Sequence, residues 1–133
     1  MKKLLFICVV LLTVAMPSYG NGYDLAKIDE FMKKDVQDVS DDEYADMVDQ
    51  AIELGSFLQD KFENAIKLKT EIEFNKYLKP YQIENIEYNA LYSVLMVSSI
   101  NSDEKGKAFK KLEDVHTKWQ ERRLDLAKKC PFL

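Results

Sequence analysis

Few residues of this sequence could do chemistry, and the first of them is its single histidine, His116. One imidazole cannot complete a zinc site, which takes three or four protein ligands. It can serve as one axial ligand of haem iron with a methionine sulfur opposite, and Met32 or Met47 could supply that sulfur. The sequence contains no Cys-x-x-Cys-His motif for covalent haem attachment.

The placement of this histidine and of Met32 on predicted helices resembles that in the four-helix haem cytochromes of the bacterial periplasm. In those proteins the methionine lies on the first helix and the histidine on the last. The resemblance implies a bundle that holds haem between Met32 and His116. Two features depart from it, since Met32 lies well inside the first predicted helix and His116 lies fourteen residues before Cys130. The alternative is a histidine at the border of an apolar face that bonds to a neighbour, and on this basis we expect no cofactor.

No other group is placed for catalysis or for metal binding. Cys130 lacks a neighbouring base, because His116 precedes it by fourteen residues, or about 21 Å along one helix. The acidic residues between Asp38 and Asp49 are spaced partly as in a calcium loop. Glu43 stands where that loop needs its turn glycine, so the acids are interpreted as a solvated helix face. We therefore predict that the protein is not an enzyme and holds no metal.

Three tyrosines, Tyr81, Tyr88 and Tyr92, lie on one face of the third predicted helix, with spacings of seven and four residues. The opposite face is aliphatic and carries Ile83, Ile86, Ala90, Val94 and Val97. In one interpretation the aliphatic face covers the core, and the three tyrosines are the partner-binding residues, since tyrosine is enriched at interfaces. In the other the helix is central, and the tyrosine rings are half buried with their hydroxyls bonded at the rim. Tertiary packing often fills such faces, which favours the second interpretation.

The helices that must position these residues follow from composition and periodicity. Few glycines and prolines and many helix-favouring residues predict an all-α domain. Four amphipathic helices are predicted, at about residues 24–36, 41–69, 80–100 and 103–129. Ser40 and Glu43 form a capping box at the start of the second helix, and Pro80 fits the first turn of the third. Short loops between such helices are typical of a four-helix bundle.

One segment after the second predicted helix and one glycine within that helix affect how the bundle packs. The segment from Ile66 to Phe74 alternates apolar and polar residues, which is a strand signal, but no second strand is available for pairing. Residues 66–79 are therefore interpreted as a frayed helix end or a connector. Gly55 falls in the apolar sector of the second helix, where the missing side chain lets another helix approach closely.

The first twenty residues have the three parts of a cleavable signal peptide. Lys2 and Lys3 precede a thirteen-residue apolar run, and the small residues Ser18 and Gly20 favour cleavage after Gly20. The apolar run is too short for an ordinary membrane span. We expect residues 1–20 to be removed, residues 21–133 to form a single domain, and the mature chain to be periplasmic or secreted.

The charge of the mature chain limits its partners. The whole chain has a net charge of −4, and the mature chain, which lacks Lys2 and Lys3, has a net charge of −6. An acidic chain is a poor ligand for phosphate backbones, so no nucleic acid partner is expected. We expect a non-enzymatic protein-binding module, of an interaction, inhibitor or immunity type, without stable membrane insertion after cleavage. Its partner would be another protein or a second copy of itself. The alternatives are a small-ligand or haem-carrying bundle and a structural envelope protein.

Overall fold

Helices make up most of residues 22–133, the range that the computed structural model describes. The α-helices are α1 (Leu25–Met32), α2 (Asp41–Ala65), α3 (Glu71–Leu78), α4 (Gln82–Ser98) and α5 (Asp103–Lys129). Short 3-10 turns occupy Val36–Asp38, Lys79–Tyr81 and Ser99–Asn101, and this range contains no strand. The predicted all-α, bundle-like fold is confirmed. The predicted signal peptide and its cleavage point lie outside the described residues.

Side-chain caps begin every helix except α4. The side chains of Asp24, Ser40, Thr70 and Ser102 each accept the backbone N–H three residues later, at 3.1–3.2 Å. Each cap satisfies one of the N–H groups that a helix start leaves without an intrahelical partner. The Ser40–Glu43 bond is the first of the two that the predicted capping box requires, whereas the Glu43 carboxylate pairs with Lys34 instead of reaching back to Ser40.

Several helix boundaries differ from the prediction, and Pro80 lies in the 3-10 turn before α4, which spans Gln82–Ser98 instead of residues 80–100. α1 ends at Met32 instead of Val36, and α2 ends at Ala65 instead of Lys69. Residues 71–78 form the separate helix α3 instead of a frayed end or a simple connector. The physical reason is a helix start at Thr70, whose hydroxyl oxygen accepts the Glu73 N–H and whose hydroxyl donates to the Glu73 carboxylate, both at 3.2 Å.

α2 lies at the centre of the bundle, where both α4 and α5 pack against it. The described residues form one hydrophobic core, in which the largest fully buried side chains are Ile28, Tyr44, Val48, Leu54, Leu91, Leu95 and Leu112. The Tyr44 hydroxyl donates a hydrogen bond to the Leu95 carbonyl and so links α2 to α4 inside this core. None of the helices within residues 22–133 has the length and apolar character that crossing a membrane requires.

The predicted close approach at Gly55 is confirmed. A Cβ atom at Gly55 would lie 2.4 Å from Trp119 Cζ3 and 2.8 Å from Tyr88 Cε1. Both distances are far inside van der Waals contact, so a side chain at this position would displace the buried Tyr88 ring and the half-buried Trp119 ring. The absence of a side chain on α2 therefore lets Tyr88 of α4 and Trp119 of α5 meet over its backbone.

The orientation that places the aliphatic face of α4 on the core is wrong. Leu91 and Leu95 are fully buried and Tyr88 is 6% exposed, whereas Ile83 and Val97 are 67% and 68% exposed. The aromatic side chains that α5 presents above Gly55 pack on the tyrosine side of α4, which turns the aliphatic side outwards. The interpretation of this helix as central is correct for Tyr88, which is buried. It is incorrect for the aliphatic side, which no other helix of residues 22–133 covers.

Candidate functional site

The predicted site residues Tyr88, Tyr92 and His116 lie in one aromatic cluster between α4 and α5. The His116 ring stacks on Tyr92 at 4.2 Å and on Tyr88 at 5.7 Å between ring centroids. Trp119 meets Tyr88 edge-on at 6.3 Å, and Phe109 lies 5.4 Å from Tyr92. These rings form much of the packing between the two helices.

A hydrogen bond joins two titratable side chains of this cluster, Tyr88 and His116. The Tyr88 hydroxyl and His116 Nδ1 are 2.7 Å apart. Burial lowers the pKa of His116, with a further contribution from the positive charge of Arg123. Burial also raises the pKa of Tyr88 well above its usual range. Both groups are therefore neutral near pH 7, and they form a hydrogen bond between two uncharged side chains that links α4 to α5.

The three tyrosines do not form one exposed surface. Tyr88 is buried and Tyr92 is half-buried against His116. Tyr81 packs elsewhere, with its ring 5.5 Å from that of Phe57 on α2. Tyr88 therefore presents little surface to a partner, and the neighbouring faces are more exposed.

Met32 and His116, the two residues expected to bind any haem, lie on different elements. Met32 belongs to α1, which packs on α2 and α4, whereas His116 belongs to α5. The Nδ1 atom of His116 bonds to Tyr88, and its ring is covered by Tyr92. Among residues 22–133, no cluster of three or more His, Cys, Asp or Glu side chains has metal-binding geometry.

The exposed side of α4 and the turn after it carry a continuous set of aliphatic side chains, here called the aliphatic face. Ile86 is 66% exposed and Ile100 is 86% exposed, in addition to Ile83 and Val97. Ala90 and Ser93 lie between them and are exposed too. Isolated exposed hydrophobic residues are ordinary on protein surfaces, whereas a contiguous apolar row along one helix is a candidate interaction surface.

The aliphatic face has nearly the same pattern in both chain directions. Its members are Ile83, Ile86, Ala90, Ser93, Val97 and Ile100. The spacings of three and four residues alternate as in a coiled-coil seam. Two large residues stand at each end and two small residues in the middle, so reversal of the order leaves the sizes unchanged. The sequence predicted an aliphatic face that shares Ile83, Ile86, Ala90 and Val97 with this one, and one interpretation placed it on the core; its fifth member, Val94, is partly buried against the core.

Charged groups differ at the two ends of the aliphatic face. Glu84 and Glu87 lie at its first end, on the first turns of α4. The other end adjoins the start of α5, where Ile100 shares a shallow groove with Asp103, Lys107 and Lys110. These lysines form exposed pairs with Glu104 and Asp114 of α5, and such pairs contribute little to stability.

A second feature is a cleft of about 360 Å³ where α2, α3 and the start of α4 meet Arg123 of α5. It is lined by Leu58, Lys61, Phe62, Asn75, Leu78, Lys79, Tyr81, Gln82, Asn85 and Arg123. Three of these side chains are cationic, three are amides and none is a carboxylate. We call it the cationic cleft. Its cations come from three separate elements, so no local sequence signal pointed to it.

Comparison with protein-family models, curated proteins and solved structures finds no match to this chain. The functional assignment therefore depends on the aliphatic face and the cationic cleft themselves.

Proposed function

We propose that this chain is an exported, non-enzymatic protein-binding module whose aliphatic face on α4 pairs with the same face of a second copy. One observation carries the proposal. An exposed, mainly aliphatic row has the same spacings and the same order of large and small residues in both directions, which is what an interface between two identical antiparallel helices requires. A two-fold interface uses the same patch on both subunits, so the patch must complement itself.

The pairing has a defined register. A two-fold axis midway between Ala90 and Ser93 brings Ala90 opposite Ser93 of the second copy. Under the same axis, Ile86 meets Val97 and Ile83 meets Ile100 of the second copy. The small pair at the centre lets the helix backbones approach closely, and the larger pairs fill the space on either side.

The two glutamates at the first end of the face favour the antiparallel direction. In this arrangement Glu84 and Glu87 of one copy approach the end of the face at which Lys107 and Lys110 of the other copy lie. A parallel arrangement would bring the two acidic ends together. Complementary charges at the rim of an interface contribute mainly to orientation and to the rate of association.

The expected association is weak and reversible. The face comprises six positions per copy, which makes a small interface of the kind found in transient complexes. A dissociation constant on the order of 1–100 µM is therefore expected.

The remaining parts of the proposal rest on the sequence. The lysines, apolar run and small residues of the first twenty positions support export and a periplasmic or secreted location. The separation of Cys130 from His116 supports a binding role over catalysis. Intact-mass measurement on the exported protein tests the location, and we expect a chain that begins at Asn21.

Sedimentation velocity of the exported protein over a concentration series tests the pairing. We expect a monomer–dimer equilibrium that Ile86→Glu abolishes, because the variant buries a charge in an apolar interface. The matched control is Ile72→Glu, since Ile72 of α3 is 80% exposed and lies outside the face. A wild-type chain that stays monomeric at millimolar concentration, or equal loss of the dimer in both variants, would contradict the proposal.

A further inference from the structure

The cationic cleft concentrates positive charge in a protein whose net charge is negative. Lys61 approaches it from α2, Lys79 from the turn before α4, and Arg123 from α5. None of these three side chains forms an ion pair with a carboxylate among residues 22–133, where eight other ion pairs occur. The cleft therefore has three cations whose charge the described protein does not neutralise.

Arg123 is the most constrained of the three. Its Nε donates to Gln59 Oε1 at 2.7 Å, and its guanidinium lies 5.1 Å from the centre of the Phe62 ring. The nearby carboxylate of Glu63 is held by Arg122 at 3.4 Å and by the Gln59 amide at 3.0 Å. The Gln59 amide thus stands between Arg123 and Glu63, and the terminal nitrogens of Arg123 remain for another acceptor.

Partial burial makes this arrangement costly without a ligand. Arg123 is half-buried, and this burial lowers the pKa of its guanidinium. A partly desolvated charge without a counter-ion is unfavourable, and such charges are ordinarily paired or bind an anion. The planar guanidinium suits a carboxylate, which it can bind through two parallel hydrogen bonds.

The rest of the lining is suited to the organic part of a ligand. Leu58, Phe62 and Leu78 provide apolar wall, and the Tyr81 ring lies 5.0 Å from Lys61 Nζ. Amides from Asn75, Gln82 and Asn85 add neutral hydrogen-bonding groups. The volume of about 360 Å³ lies within the range of small-molecule sites, which combine apolar walls with a few polar groups.

We propose that the cationic cleft binds a small organic carboxylate, with the carboxylate on Arg123 and its apolar body against Phe62 and Tyr81. Lys61 and Lys79 supply further positive charge at the rim. The site lies apart from the aliphatic face and does not depend on self-association. It therefore adds a ligand-binding activity to the proposed function.

Calorimetric titration with three probes tests this site in the exported protein. Benzoate carries both a carboxylate and an apolar ring, benzamide is its neutral analogue, and inorganic phosphate carries charge alone. We expect benzoate to bind with a dissociation constant on the order of 1 mM or below, and the other two at least tenfold more weakly. Absence of benzoate binding, or equal binding of benzamide or phosphate, would overturn the proposal.

Variants then locate the binding. Arg123→Gln should weaken benzoate binding at least tenfold, whereas Lys118→Gln, which removes an exposed charge of α5 outside the cleft, should leave it unchanged. Lys79→Gln removes an exposed charge of the cleft without loss of a buried contact, and should weaken benzoate several-fold even if the Arg123 variant folds poorly. Fluorescence of the single tryptophan gives a second readout, because Trp119 and Arg123 line the same adjoining pocket. Unchanged benzoate affinity in the Lys79 and Arg123 variants would contradict the assignment.

Discussion

At the scale of single residues, the contact of Gly55 with two rings and the bond between Tyr88 and His116 determine how α4 and α5 pack. Neither side chain of that bond is charged near pH 7, because burial shifts the two pKa values in opposite directions. The sequence alone predicted that Gly55 meets a neighbouring helix and that His116 bonds to a neighbour. It could not identify Tyr88 as that neighbour, since the two lie twenty-eight residues apart and meet only through packing.

Acid should destabilise the protein through His116. Because the pKa of folded His116 lies below the ordinary value of 6.5, the unfolded chain binds a proton before the folded chain does as the pH falls below 6.5. Protonation therefore favours unfolding, and the stability contribution present above pH 6.5 is lost as the pH falls towards the lowered pKa. Thermal melts between about pH 8 and 5 should show a falling Tm, and His116→Phe should reduce this slope. The same slope in the wild type and the variant would show that His116 is not responsible.

Gly55→Ala should destabilise the protein although alanine is the better helix former. The new Cβ would meet Trp119 Cζ3 at 2.4 Å, and overpacking of this kind costs about 1–3 kcal/mol, which exceeds the propensity gain of about 1 kcal/mol. Gly106→Ala is the matched control, because its Cβ would meet only the Ser99 carbonyl, at 3.4 Å. Denaturant unfolding should show a loss for Gly55 and no loss for Gly106. Equal effects would mean that the rings above Gly55 move aside freely.

At the scale of elements, the sequence predicted the helices that carry strong caps and long apolar stripes. α2 begins after Ser40 and α5 runs from Asp103 to Lys129, as expected. The capping pattern from Thr70 to Glu73 was present in the sequence and would have identified α3, but the alternating pattern around it obscured the signal. Periodicity found both faces of α4 and could not say which of them the other helices cover.

The cationic cleft illustrates a different limit of sequence analysis. Lys61, Lys79 and Arg123 are far apart in the chain, and no spacing rule relates them. They come together only because α3 and the turn after it fold back beside α2 and α5. A site assembled from three elements becomes visible only when the packing of those elements is known.

The two faces of α4 should differ sharply in their contribution to stability. Tyr88→Ala removes a ring that is 6% exposed, and loss of a large buried ring costs about 3–5 kcal/mol. Ile83→Ala truncates a side chain on the aliphatic face, where surface substitutions change stability by less than about 0.5 kcal/mol. Denaturant unfolding of dilute protein measures both. A small loss for Tyr88 together with a large one for Ile83 would mean that α4 is turned the other way.

At the scale of the whole molecule, one core joins α1, α2, α4 and α5, and two surface features take no part in it. The aliphatic face of α4 is apolar but lies at the surface, and the cationic cleft contains charges without carboxylate partners among residues 22–133. The first accounts for the proposed self-association and the second for the proposed ligand. The aliphatic face and the cationic cleft lie on different sides of α4, so a substitution can disrupt either one without affecting the other.

Mixing of two complementary variants tests the central claim, antiparallel pairing of the aliphatic face, most directly. Ile86→Glu and Val97→Lys should each be monomeric, because each places two unpaired charges in the symmetric interface. In a mixed dimer the two new side chains meet once as an oppositely charged pair, while the other Ile86 and Val97 meet unchanged. Native mass spectrometry of the equimolar mixture should therefore show a one-to-one heterodimer and neither homodimer. Homodimers of the single variants, or a mixture that stays monomeric while the wild type dimerises, would contradict the register and the proposed interface.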